Sequence, residues 1–181
     1  YPTEQPLKRV QVCLGCHLGT KDQFATHAIM GAGHPRLSFE LEAYTTNQPA
    51  HFIVDVDYVE RKGRIEGMNL WVTGQLETAR RFLSLLQTNM FHGGSMFPEL
   101  AFYDCHSCHH PMKEIRWNAM RAGAGIKPGT VRLQTQNLVV LQALVETFEP
   151  AAASQLAGLT NALIRAGQRD RAAVNEAAKT L

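Results

Sequence analysis

The chain has 181 residues, 45% of them hydrophobic, with 18 basic and 16 acidic side chains and a net charge of +2. That length suits one domain, or one domain with a helical tail, and the apolar content is enough for an ordinary core. The charges are well mixed, with no basic stripe interleaved with aromatics to suit a nucleic acid, and no apolar run approaches the roughly 18 residues of a transmembrane helix.

Taken in order, residues 1–7 hold Pro2 and Pro6 and read as an extended lead-in. Val10-Gln11-Val12 precedes Cys13-Leu14-Gly15-Cys16-His17, and Gly19-Thr20-Lys21-Asp22 then makes a turn with helix-capping character. A short helix is expected over Phe24 to Met30, ended by Gly31-Ala32-Gly33. Pro35 is placed to begin another that runs to Ala43, with Asn47-Gln48-Pro49 closing it. Phe52, Val54, Val56 and Tyr58 alternate with polar residues at period two and suggest one short strand.

From Glu66 to Met90 the period changes to that of an amphipathic helix, with Val72, Leu76, Ala79, Leu83, Leu86 and Met90 on one face. Phe91-His92-Gly93-Gly94 breaks it. Met96 to Tyr103 leads into Cys105-His106-Ser107-Cys108-His109, which Pro111 closes off, and a glycine-rich loop carrying Arg116, Arg121 and Lys127 follows. Val131, Leu138, Leu141, Val145 and Phe148 share one further helical face, stopped by Pro150. Leu156, Leu159 and Leu163 mark the next helix, and an alanine-rich segment runs to Leu181. The expectation is a mainly α chain with long loops around its two cysteine motifs, residues 1–130 carrying those motifs and residues 131–181 forming C-terminal helices packed on or extending from them.

Both motifs read C-x-x-C-H, the attachment signature of a c-type haem. Cys13 with Cys16, and Cys105 with Cys108, would each add to the two vinyl groups of one porphyrin, and the following histidine, His17 or His109, would ligate its iron. The two motifs consume all four cysteines of the chain. Zinc would want the two pairs at ribbon or knuckle spacing, and a redox dithiol a βαβ setting; neither pattern is present.

The sixth iron ligand decides the chemistry: histidine gives a low-potential, low-spin iron, methionine raises the potential, and an open position invites reaction. His34, between Gly33 and Pro35 where small neighbours let a porphyrin approach, is the leading candidate, followed by His27 and then His92, which two glycines follow. His51 ranks behind these, and His106 and His110 are expected to face solvent or bond locally. Met30, Met96 and Met112 read first as packing residues. Arg36 and Arg116 are candidate partners for haem propionates.

The runs His27-Ala28-Ile29-Met30-Gly31-Ala32-Gly33-His34-Pro35-Arg36-Leu37-Ser38-Phe39-Glu40-Leu41 and Phe97-Pro98-Glu99-Leu100 through Met112 resemble segments of periplasmic multihaem c-type cytochromes, of the kind that take electrons from hydroxylamine oxidoreductase. The likeness covers roughly residues 8 to 117. It implies closely packed haems, mostly ligated by two histidines, with His27 and His34 matching ligand positions. The departure is two motifs where such cytochromes have four or more, so the chain is expected to be a dihaem protein or the C-terminal part of a larger cytochrome, with the abrupt start before a haem motif favouring the latter.

The resulting expectation is electron transfer through two covalently attached haems c, with more in any larger assembly. The partners would be a redox donor and acceptor and any further haem-bearing chain or segment. No leader precedes Tyr1, yet haem is attached outside the cytoplasm, so the expected location is periplasmic or extracellular. The rival is a haem enzyme or enzyme subunit acting on a small nitrogen or sulfur compound at an open distal site.

Overall fold

The structure, a computed structural model, describes residues 1–34, 40–47, 49–64, 66–91, 98–111, 126–127 and 129–181. The chain is mainly helical. Among the described residues the helices are α1 (Pro6–His17), α2 (His27–Gly31), α3 (Leu41–Asn47), α4 (Val56–Lys62), α5 (Gly67–Leu86), α6 (Gln136–Glu146), α7 (Pro150–Ala166) and α8 (Arg171–Thr180). None is long and apolar enough to cross a membrane. His92, Met96, Met112, Arg36, Arg116 and Arg121 lie outside the described residues, as do most of the turn expected from Pro35 and most of the glycine-rich loop.

The 20-residue α5 is the central element. Leu70, Ala79, Phe82, Leu83, Leu85 and Leu86 are buried along it on more than one side, Leu70 toward the smaller of two apolar clusters and the others toward the larger. It packs against α1, α3, α6 and α8, while α6 lies on α7 and α7 on α8. Gly74 faces Leu41 of α3, where a Cβ would make an ordinary contact at 3.5 Å. The Asn137 amide donates to Gln75 Oε1 across the α5–α6 contact at 2.7 Å, satisfying a glutamine that is itself buried.

Two apolar clusters matter for the cysteine motifs. The larger joins the second half of α5 to Phe91, Phe102, Tyr103, Leu133, Leu138, Leu163, Val174 and Ala178. The smaller sets Val10 and Leu14 of α1 against Leu41 of α3 and Leu70 of α5. Leu18 packs against both, so the end of α1 connects them.

Several local expectations are corrected. Residues 6–17 are helical, with Pro6 in the first turn where its missing N–H costs nothing, so the extended lead-in is shorter and the first motif is on a helix. The expected strand over 52–58 is instead a bend followed by α4: Asp55 Oδ1 accepts from the Tyr58 N–H at 2.8 Å, and this N-cap starts a helix in the middle of the alternating pattern. Pro150 does not merely stop α6; it occupies the first turn of α7. Leu133 is not helical but forms an antiparallel bridge with Tyr103.

Candidate functional site

The first motif occupies the last turn of α1. Helical geometry puts Cys16 three residues and His17 four residues beyond Cys13, so all three share one side of α1, next to the buried Val10 and Leu14, and Cys13 packs on the cluster those two enter. Cys13 is half-buried and Cys16 exposed, and neither is in a disulfide. Burial pushes the Cys13 thiol up in pKa, and the nearby Arg9 charge opposes that rise. The helix ends where Gly19 adopts φ of +95° and its N–H donates to Leu14 O. A Cβ at Gly19 would sit 2.5 Å from Gln23 O, so only glycine fits this reversal.

That turn redirects the chain toward the second motif. Thr20 Oγ1 accepts from the N–H of Gln23, and Phe24 then stacks on Phe102 with ring centres 4.7 Å apart. Thr26 caps α2 by accepting from the Ile29 N–H, which places His27 at the first helical position.

The second motif is built without an α-helix. Glu99 caps a 3-10 turn at Leu100–Phe102, and Asp104 caps another at Cys105–Ser107, its carboxylate accepting from the His106 N–H. The His109 N–H then donates to Cys105 O at 2.7 Å, closing one turn around the motif. The segment before it is fastened to residues 132–134: the Asp104 N–H donates to Arg132 O, the Gln134 N–H to Phe102 O, and the Gln134 amide to the carbonyls of Ala101 and Tyr103. Phe102, 1% exposed, roots the whole motif in the larger cluster.

Each motif histidine meets a second histidine. The rings of His27 and His109 are 6.1 Å apart between centres, tilted by 31°. Those of His17 and His51 are 6.0 Å apart at 63°, and Tyr44 also approaches His17 at 6.2 Å. Two metal–nitrogen bonds of about 2 Å, with about 1 Å from each nitrogen to its ring centre, separate two imidazoles on one iron by about 6 Å. Ordinary edge-to-face ring contacts span that distance too, but here the partner is a histidine at both motifs. His17 is biased toward the neutral form, first by burial and then by the neighbouring His51, and neutral imidazole is the ligating form.

Exposed apolar side chains follow both pairs in the sequence. Ile53 and Val54, 76% and 51% exposed, follow directly on the His51-Phe52 dipeptide, and Val12 beside Cys13 is likewise exposed. At the other site Ile29 and Leu100 are exposed large apolar residues. Among the described residues no three His, Cys, Asp or Glu side chains converge on a common metal position. The two cysteine pairs therefore do not build one tetrahedral centre. Paired imidazoles are what a porphyrin iron asks of a protein, since the macrocycle supplies the other four ligands.

Of the expected distal residues, the structure brings His27 to a motif histidine. His34 is exposed, and its N–H donates to Ile29 O; His51 and His27 are described with their rings against the motif histidines. His110 bonds locally to Pro111 O. Met30 lines an apolar cleft with Leu18, Phe24, Phe82 and Phe102. His51 meets His17 as His27 meets His109, and the sequence signal beside it is the aromatic Phe52. No family model matches the chain, and neither does any curated protein or solved structure.

Proposed function

We propose that the chain is a c-type cytochrome that carries two covalently attached haems and passes electrons between redox proteins outside the cytoplasm. The observation that carries this reading is the meeting of each C-x-x-C-H histidine with a second imidazole at about 6 Å, in a chain whose four cysteines are all used by the two motifs. The resemblance to periplasmic multihaem cytochromes points the same way.

Cys13, Cys16, Cys105 and Cys108 would hold the two haems by thioether bonds, and His17 and His109 would ligate the irons. Haem iron supplies one-electron exchange, and a position occupied on both sides exchanges electrons without binding substrate. The work of the protein is then positional. α1 would present two thiols and an imidazole from one side, and the turn closed by the His109 N–H on Cys105 O would hold the second set together. Contact with a donor or acceptor would be through a small, short-lived interface.

A pyridine haemochrome assay with intact-mass measurement on the exported protein tests this. Two haems per chain, low-spin in both oxidation states and indifferent to carbon monoxide, is the expected result. A chain without haem refutes the reading, and stoichiometric carbon monoxide binding by the unmodified protein replaces electron transfer with small-molecule chemistry at an open site.

A further inference from the structure

Among the described residues the rings of Tyr44 and His51, on different elements, approach His17. His51 belongs to the non-helical stretch between α3 and α4, which on its own would place an imidazole poorly. The next residue removes that freedom. The Phe52 ring lies under the guanidinium of Arg9, with the guanidinium carbon 5.0 Å from the ring centre, and stacks on Tyr58 of α4 at 5.7 Å. Arg9 is buried, on the same helix as His17, and its Nε has no hydrogen-bond partner among the described residues. A buried guanidinium spends its charge on an aromatic face where hydrogen bonding is incomplete.

Further links join α4 to the start of the chain. The hydroxyls of Thr3 and Tyr58 share a hydrogen bond of 2.9 Å, and the Lys62 ammonium donates to Glu4 Oε2 and to Tyr1 O, each at 3.0 Å. The segment ahead of α1, α1 itself and the stretch bearing His51 are thereby tied into one unit, with His17 and His51 both presented from it.

On the two-haem reading, we infer that His51 is the sixth ligand of the iron at the first motif, opposite His17, and that Arg9 acting through Phe52 is the residue that positions it. The ligand pairs are then His17 with His51 and His27 with His109. The stretch just after the first motif then ligates the second haem.

The test uses the intact haem-loaded protein, with haem counted first so that loss of the two-haem reading is separate from loss of this one. If the unmodified protein holds no haem, the underlying proposal fails. If it holds two, His51→Ala should keep both haems while half of the iron turns high-spin and, once reduced, binds carbon monoxide; added imidazole should restore the low-spin spectrum. His51→Met decides the matter if the alanine variant does not accumulate, because it should keep both irons low-spin and give one of them the charge-transfer band of methionine ligation. Arg9→Met should open a fraction of the same haem and Arg9→Lys, which retains a cation over Phe52, should open less. Two haems with wholly unchanged spectra in the His51 variants overturn the assignment, as does opening of the first haem by Tyr44→Phe or His34→Ala instead.

Discussion

The two cysteine motifs share a five-residue pattern and differ in almost everything that holds them. The first is the end of a regular helix whose inner face rests on a small cluster of four buried residues, Val10, Leu14, Leu41 and Leu70. The second is a 3-10 turn fastened by backbone and amide hydrogen bonds to residues 132–134 and rooted through Phe102 in the large cluster of α5 and the C-terminal helices. Their opposing histidines differ in the same way. His51 is presented by a ring held under a buried cation, whereas the N–H of His27 donates to the Glu99 carboxylate at 2.7 Å, from the very turn that leads into the second motif. C-x-x-C-H therefore does not specify a local fold. It specifies two thiols and an imidazole within five residues, and either a helix or a capped turn can carry them.

The strongest way to break the comparison is to remove the anchor of one motif only. Phe102 is 1% exposed and contacts the rings of Phe24, Phe82 and Phe91. Phe102→Ala should cost about 3–5 kcal/mol by urea denaturation, and it should disturb the His109 site before the His17 site. Leu14→Ala acts on the opposite motif. With Leu14 1% exposed in the smaller cluster, a loss of about 2–4 kcal/mol is expected, with heteronuclear NMR changes centred on α1, α3 and the start of α5. Equal perturbation of both motifs by either variant would show that the two clusters do not act separately.

Gly19→Ala probes the reversal that joins the motifs. At φ of +95°, with Gln23 O 2.5 Å from where an alanine Cβ would stand, the substituted turn must shift. About 1–3 kcal/mol of destabilisation is expected. Because this turn sends Phe24 to Phe102 and His27 toward His109, the NMR shifts of α2 should move more than those of α4. A variant as stable as the parent would mean that the turn relaxes freely and does not set where α2 lies.

What was legible in the sequence was the chemistry that spacing alone can carry. Two thiols and an imidazole within five residues need no tertiary information, and α5 was readable from its helical period; the expected span of 66–90 became 67–86, and of the expected face Ala79, Leu83 and Leu86 are buried while Leu76 is exposed, because the helix also packs on the side of Leu70, Phe82 and Leu85. The pairing of histidines was less legible. His51 meets His17 because Arg9, Thr3 and Glu4 hold α4 to the beginning of the chain, and no local pattern announces a contact between α1 and a stretch so far along. The glycine and proline neighbours of His34 describe room for a ligand and not its direction. The mistaken strand has a similar cause. Asp55 and Asp57 supplied the polar half of an alternation, but one is the cap of α4 and the other lies in its first turn, where negative charge suits the helix dipole.

The smallest change sharpens the comparison most, because it separates positioning from stability. Glu99 Oε1 accepts from two backbone donors, the N–H of Ala101 at 2.9 Å within its own turn and that of His27 at 2.7 Å from α2. Glu99→Gln keeps the shape and an acceptor oxygen but removes the negative charge that shortens such bonds. The expected cost is modest, about 0.5–1.5 kcal/mol, too little to unfold either cluster. Its effect should nevertheless be one-sided: increased hydrogen exchange at the His27 amide with no change at residues 51–58. Glu99→Ala, which leaves the His27 donor without its carboxylate partner, should enlarge the same local effect. If protection at His27 were unchanged in both variants, the carboxylate would be a cap for its own turn alone, and His27 would owe its place beside His109 to the packing of Phe24 on Phe102.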